Sequence, residues 1–223
     1  MTKAIIFDMD GTLFQTNQIL EASLEDTFQE LRKINKWEGA APLAEYQRIM
    51  GVPLPKVWET LLPEFTTYER NEVDALFLDR LISNIQYGRG SLYPGVEETM
   101  EELNSQGFSM YIASNGLKRY LKTIVEYYHL DRWVSQTYSI EQIDSLDKSR
   151  LVQEIIQKHA IQEGAVVGDR LSDIRAAKEN GLTAVGCRFD FAREEELAQA
   201  DEVIEDLRDL KQVIPLLEGT PYS

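Results

Sequence analysis

The chain opens on a short apolar run, Ala4 to Phe7, that reads as a buried strand and stops abruptly at Asp8-Met9-Asp10-Gly11-Thr12. The rhythm then changes. Ile19, Leu20, Leu24, Phe28, Leu31 and Ile34 recur at three- and four-residue steps, which predicts one amphipathic helix. Pro42, Pro53, Pro55 and Pro63 break the next stretch into short pieces, and Val73, Leu76, Phe77, Leu81, Ile82 and Ile85 resume the helical period. No strand is predicted between 16 and 87, so this region reads as a small helical bundle inserted after the first strand.

From Tyr93 onward helix and strand alternate. Pro94-Gly95 opens a helix over Val96 to Gln106, ended by Gly107, and Met110 to Ala113 is a strand. The turn Ser114-Asn115-Gly116 leads into a helix reaching about His129, and Lys148 to His159 is helical. Ala165 to Val167 is a strand running into Gly168-Asp169, followed by a helix over Ser172 to Asn180 closed by Gly181. Thr183 to Val185 and Glu202 to Ile204 complete the strands, a last helix ends near Leu217, and Gly219 to Ser223 is expected to be loosely attached. Such alternation predicts an α/β fold: a mostly parallel sheet with helices on both faces. The division is a core of 1–15 and 88–223 and an inserted α-helical cap domain of 16–87.

Composition narrows the function. The 223 residues are 43% hydrophobic and 27% charged, as expected of a globular protein, with a formal net charge of −15. That charge repels nucleic acid and anionic lipid, so neither is an expected partner. It also repels small anions, so an anion site must be made locally positive by a metal, a lysine or helix amides. The single cysteine, Cys187, cannot close an internal disulfide and reads as a packed thiol suited to a reducing compartment. With no apolar stretch of about 20 residues and no signal-like start, the expectation is a cytoplasmic protein, monomeric or homodimeric.

Asp8 and Asp10 carry the chemistry. Two carboxylates one residue apart at the end of a buried strand repel each other and resist desolvation unless something positive lies between them. In an open parallel sheet ligands bind beyond the carboxyl ends of the strands. Asp8 and Asp10, Ser114-Asn115 and Gly168-Asp169 all lie at such ends, and Lys148 starts a helix in the connection between the last two.

Together, Asp8-Met9-Asp10-Gly11-Thr12, Ser114-Asn115, Lys148 and Gly168-Asp169-Arg170-Leu171-Ser172-Asp173 resemble the four motifs of the haloacid dehalogenase superfamily. The likeness is to its Rossmann-like phosphatases with a helical cap after the first motif, the phosphoglycolate phosphatase and β-phosphoglucomutase branch. One departure is that Lys148 lacks the following proline common in that family. The resemblance implies Asp8 as nucleophile forming an aspartyl-phosphate, and Asp10 as general acid and base whose backbone carbonyl also reaches a metal. It implies Mg2+ held by Asp8, Asp10 and Asp169, with Asp173 ordering the metal's waters or ligands. Thr12, Ser114, Asn115 and Lys148 are the implied phosphate-binding residues.

Within the cap, Tyr46-Gln47-Arg48-Ile49-Met50-Gly51-Val52-Pro53 resembles a substrate-facing loop, which makes Arg48 and Lys56 candidate leaving-group contacts. Tyr46, Met50 and Trp58 suit a nucleoside, a small sugar or the cap's own packing alike. Arg170 reads as structural, and Trp37, Trp58 and Trp133 as packing residues. His129 and His159 read as helix-end residues whose protonated rings favour the dipole, and Glu194 to Glu196 as a solvated helix start. The implied function is a Mg2+-dependent phosphatase of a small phosphomonoester metabolite such as a sugar phosphate, phosphoglycolate or a nucleotide. Alternatives are a β-phosphoglucomutase-like phosphomutase and a non-catalytic binding protein on the same fold. A dehalogenase would not need Asp10, and a phosphonate hydrolase would carry alanine in its place.

Overall fold

The computed structural model describes residues 2–49, 52 and 54–217; the predicted tail at Gly219 to Ser223 and Met50 of the cap loop lie outside them. Six strands form one parallel sheet: β1 (Thr2–Phe7), β2 (Ser109–Ser114), β3 (Val134–Ser139), β4 (Ile161–Gly168), β5 (Thr183–Cys187) and β6 (Glu202–Ile204). Their order is β3-β2-β1-β4-β5-β6. The chain thus winds outward from β1 in one direction, then crosses back to β4 and winds outward in the other. The crevice between the carboxyl ends of β1 and β4 is therefore the topological switch point.

Alternation along β1 explains why both faces are covered. Ile5 and Phe7 belong to one apolar cluster and Ala4 and Ile6 to the other, and all four are buried. The face of Ala4 and Ile6 packs on α7 (Lys148–His159) and α8 (Leu171–Glu179). The face of Ile5 and Phe7 packs on α5 (Val96–Ser105), α6 (Lys118–Tyr127) and α10 (Leu210–Leu217). Cys187 is a fully buried part of that second cluster, as a packed thiol should be.

The strand β3 was not predicted. Its residues Val-Ser-Gln-Thr-Tyr-Ser hold only two large apolar side chains, because an edge strand pairing with β2 alone needs fewer. It nonetheless supports the site: Ser139, its last residue, donates a hydrogen bond to the Gly116 carbonyl at 2.6 Å and so pins the turn after β2.

Residues 17–86 contain helices only, among the described residues: α1 (Asn17–Lys33), α2 (Leu43–Arg48), α3 (Leu54–Leu61) and α4 (Thr67–Gln86). Helix α1 buries Ile19, Leu20, Leu24, Phe28 and Leu31, as its period requires. Ile34 departs from that stripe: it is the C-cap residue, 60% exposed, and the chain leaves the helix there. Helix α4 begins six residues before its apolar pattern does. A capping box starts it, with Thr66 accepting from the Glu69 amide and Glu69 accepting from the Thr66 amide. Trp58, Phe77 and Tyr46 meet edge to face or tilted with centroids 5.3–6.5 Å apart, so Trp58 is core to this bundle. Among the described residues no helix is long and apolar enough to cross a membrane.

Candidate active site

The first motif is a tight loop. The amides of Leu13 and Phe14 both donate to the Met9 carbonyl, and the Gly11 amide donates to that of Phe14, which turns the chain back on itself just past β1. Gly11 takes φ +79°, and a Cβ there would lie 2.6 Å from a carboxylate oxygen of Asp169. A side chain at this position would therefore obstruct the second loop. Gly168 is needed for the same reason at the end of β4, where a Cβ would meet Asp173 Cγ at 2.2 Å.

These loops bring three carboxylates into one buried cluster. Asp8, Asp169 and Asp173 each offer an oxygen within 4.8 Å of the others, and they are 7%, 1% and 1% exposed. Lys148 enters from the first turn of α7, where Asp147 caps the helix and Asn180 of the α8 C-cap holds the Ser149 carbonyl. Its Nζ lies 2.5 Å from an oxygen of Asp8 and 2.5 Å from one of Asp173. Burial opposes the charge on Lys148, but Asp173 and Asp8 together hold its pKa above the ordinary range. Burial pushes Asp8 up to about 7, against the pull of Lys148, and Asp173 adds to the rise. Burial likewise drives Asp169 well up, with Asp8 and Asp173 adding like-charge repulsion.

One lysine among three buried acids leaves the cluster short of positive charge. All the donors are hard carboxylate oxygens, from the end of β1 and from the β4–α8 turn, which is the ligand chemistry of Mg2+ or Ca2+. The residues therefore fit a divalent cation, with Asp8 and Asp169 close enough to share one.

The side chain of Asp10 stands apart from this cluster. Its carboxylate accepts hydrogen bonds from the hydroxyls of Thr16 and Tyr120, each at 2.5 Å. Burial raises its pKa, while these two donors hold it down in part. Neither partner was anticipated from the sequence: Tyr120 lies 110 residues away on α6. Thr12 is fully buried beneath the site and its hydroxyl points to Asp169 at 3.4 Å. It does not line the chamber described next, and its amide turns to the Met9 carbonyl.

A chamber of about 70 Å³ opens beside the cluster. Its floor includes Asp8, Asp10, Ser114, Asn115, Gly116, Lys148, Arg170 and Ser172, so the four predicted segments converge on one space. Ser114 Oγ accepts the Gly116 amide at 3.0 Å. The roof comes from the helical segment: Tyr46, Val52, Leu54, Leu78 and Leu81. Arg48 and Lys56 are not in that lining. Their side chains are 64% and 59% exposed and pair with Glu45 and Glu59, three residues away.

Two lesser expectations change. Glu196 is not solvated: it takes both guanidinium arms of Arg170, at 3.0 and 3.3 Å, and the Leu171 amide at the start of α8. The His159 ring packs on Tyr111 and shares a 2.7 Å hydrogen bond with the Tyr138 hydroxyl. Burial and Lys158 lower its pKa, so the protonated form is disfavoured.

The fold and the site together are a doubly wound parallel sheet with an acidic cluster and a buried lysine at its switch point. The chain belongs to the haloacid dehalogenase-like hydrolase family, whose match covers residues 2–181. It is 25% identical to a 5′-nucleotidase of Pseudomonas aeruginosa over 94% of either chain. It is 24% identical to a phosphoglycolate phosphatase of Mannheimia succiniciproducens, covering 95% of this chain and 98% of that one. The fold is shared with a crystal structure from Haemophilus somnus described as a predicted phosphoglycolate phosphatase. The TM-score there is 0.82 at 21% identity, over 96% of this chain and 98% of the other.

Proposed function

We propose that the protein is a Mg2+-dependent phosphomonoesterase acting on a small metabolite, with 1–15 and 88–223 as the catalytic core and 16–87 as the cap over it. One observation carries this reading: Lys148 Nζ sits 2.5 Å from both Asp8 and Asp173, beside Asp169 and facing a chamber that Asp10 also lines. Asp8 and Asp169 would hold the cation and Asp173 would order what surrounds it. When bound, Mg2+ supplies positive charge against the phosphoryl oxygens and orients them.

The protein groups then divide the work. A carboxylate oxygen of Asp8 attacks phosphorus, the bond from phosphorus to the ester oxygen breaks, and Asp10 gives its proton to that departing oxygen. In the second half Asp10 takes a proton from water as its oxygen attacks phosphorus, and the bond to Asp8 breaks to release phosphate. A raised Asp10 pKa suits both steps near neutral pH, since the group must be protonated for one and ionised for the other. Lys148 and the hydroxyl of Ser114 would bind phosphoryl oxygens, with the Asn115 segment as further donor. Lys148 also favours the ionised form of Asp8 next to an anionic substrate.

Phosphate release from p-nitrophenyl phosphate, measured with Mg2+ and with a chelator, tests the reading. Turnover should require the cation and fall by about 10⁴ or more in Asp8→Asn, given the usual cost of removing a nucleophile. Unchanged turnover in Asp8→Asn, or in chelator, would refute it.

A further inference from the structure

The roof of the chamber holds no cation among the described residues. Leu54, Leu78, Leu81 and Val52 present hydrocarbon, and Tyr46 contributes the one polar group. Arg48, Lys56, Arg70 and Arg80 of this segment are engaged elsewhere: Arg48 with Glu45, Lys56 with Glu59, Arg70 with the carbonyls of Leu62, Pro63 and Phe65, and Arg80 with Glu30. On the floor, Lys148 is shared by Asp8 and Asp173, and Arg170 is held by Glu196.

We propose that the phosphomonoester taken here has a short, uncharged and largely apolar leaving group, and that esters with a second anionic group are selected against. This rests on the phosphatase reading and specifies its substrate class. Lys148, Ser114 and a cation would serve the phosphoryl group, which leaves a second carboxylate or phosphate to face leucine side chains. An anion there loses its hydration and gains no positive partner from the roof, only the Tyr46 hydroxyl. The net charge of −15 adds repulsion.

The test compares kcat/KM for isobutyl phosphate and phosphoglycolate, both esters of primary alcohols, with p-nitrophenyl phosphate as control and Mg2+ present. Isobutyl phosphate should be preferred at least tenfold. Leu78→Lys should then shift that ratio toward phosphoglycolate by a further factor of about ten, and Leu54→Lys serves if that variant does not fold. Equal or better turnover of phosphoglycolate by the unaltered protein would overturn the selectivity while leaving the phosphatase reading intact. A preference that neither lysine variant moves would overturn the assignment of selectivity to the roof. No phosphate from any of the three esters would overturn the phosphatase reading and the selectivity with it.

Discussion

Among single residues, Asp10 shows how much of a buried carboxylate's behaviour is set by neighbours distant in sequence. Its carboxylate is buried, and two hydroxyl donors at 2.5 Å favour its ionised form against that burial. Tyr120→Phe removes one donor and leaves the ring in place. The Asp10 pKa should rise, because a donor that favours the ionised carboxylate is gone. The limb of the pH profile of kcat that reports Asp10 should move to higher pH, and an unmoved limb would remove Tyr120 from any role at Asp10. Gly168→Ala tests the other side of the site. Its methyl would occupy space 2.2 Å from Asp173 Cγ and displace that carboxylate from Lys148. Thermal unfolding should show a loss of about 1–3 kcal/mol, the usual cost of overpacking, together with weakened Mg2+ binding.

Among the elements, periodicity located those with wide apolar stripes and missed those held mainly by tertiary contacts. Helix α1 followed its stripe closely because its buried face is continuous. Helix α4 outran its stripe at the N-terminus because a capping box, not packing, sets its start. Thr66→Ala should therefore cost about 1 kcal/mol, lowering Tm by roughly 2–4 °C in a chain of this size. A calorimetric scan showing no change would mean that the first turn of α4 adds nothing to global stability. The strand β3 escaped notice for a different reason. At an edge, hydrogen bonds to β2 define the strand, and Ser, Gln and Thr occupy positions that an inner strand would fill with aliphatics.

For the whole molecule, the strand order creates the crevice and the acidic cluster occupies it. That cluster carries an electrostatic cost with a definite pH dependence. Asp8 rises from a usual 3.8 to about 7, and Asp169 moves in the same direction. A carboxyl raised in the folded state favours folding while protonated, and that advantage is lost as pH climbs through the folded value. Without metal, Tm should fall between pH 5 and pH 8, a window in which paired, half-buried acids such as Glu69 and Asp206, at about 2, are ionised throughout. His159 works in the opposite sense but lies near the surface. Added Mg2+ should raise Tm, and more at pH 8 than at pH 5, because ligands must be deprotonated to bind. An equal increment at both pH values would argue against the carboxylates as the cation's ligands.

The sequence alone was enough for the alternating α/β order, the helical insertion and the residues bearing charge at the strand ends. Those features follow from local periodicity and from side-chain chemistry that has few other uses. Tertiary structure decided which of those residues touch. It set Lys148 between Asp8 and Asp173, put Tyr120 on Asp10, gave Glu196 to Arg170, and left Arg48 and Lys56 at the surface while leucines roofed the chamber. Such pairings depend on where separate helices and loops come to rest against the sheet, and no local pattern of apolar and polar residues encodes that distance.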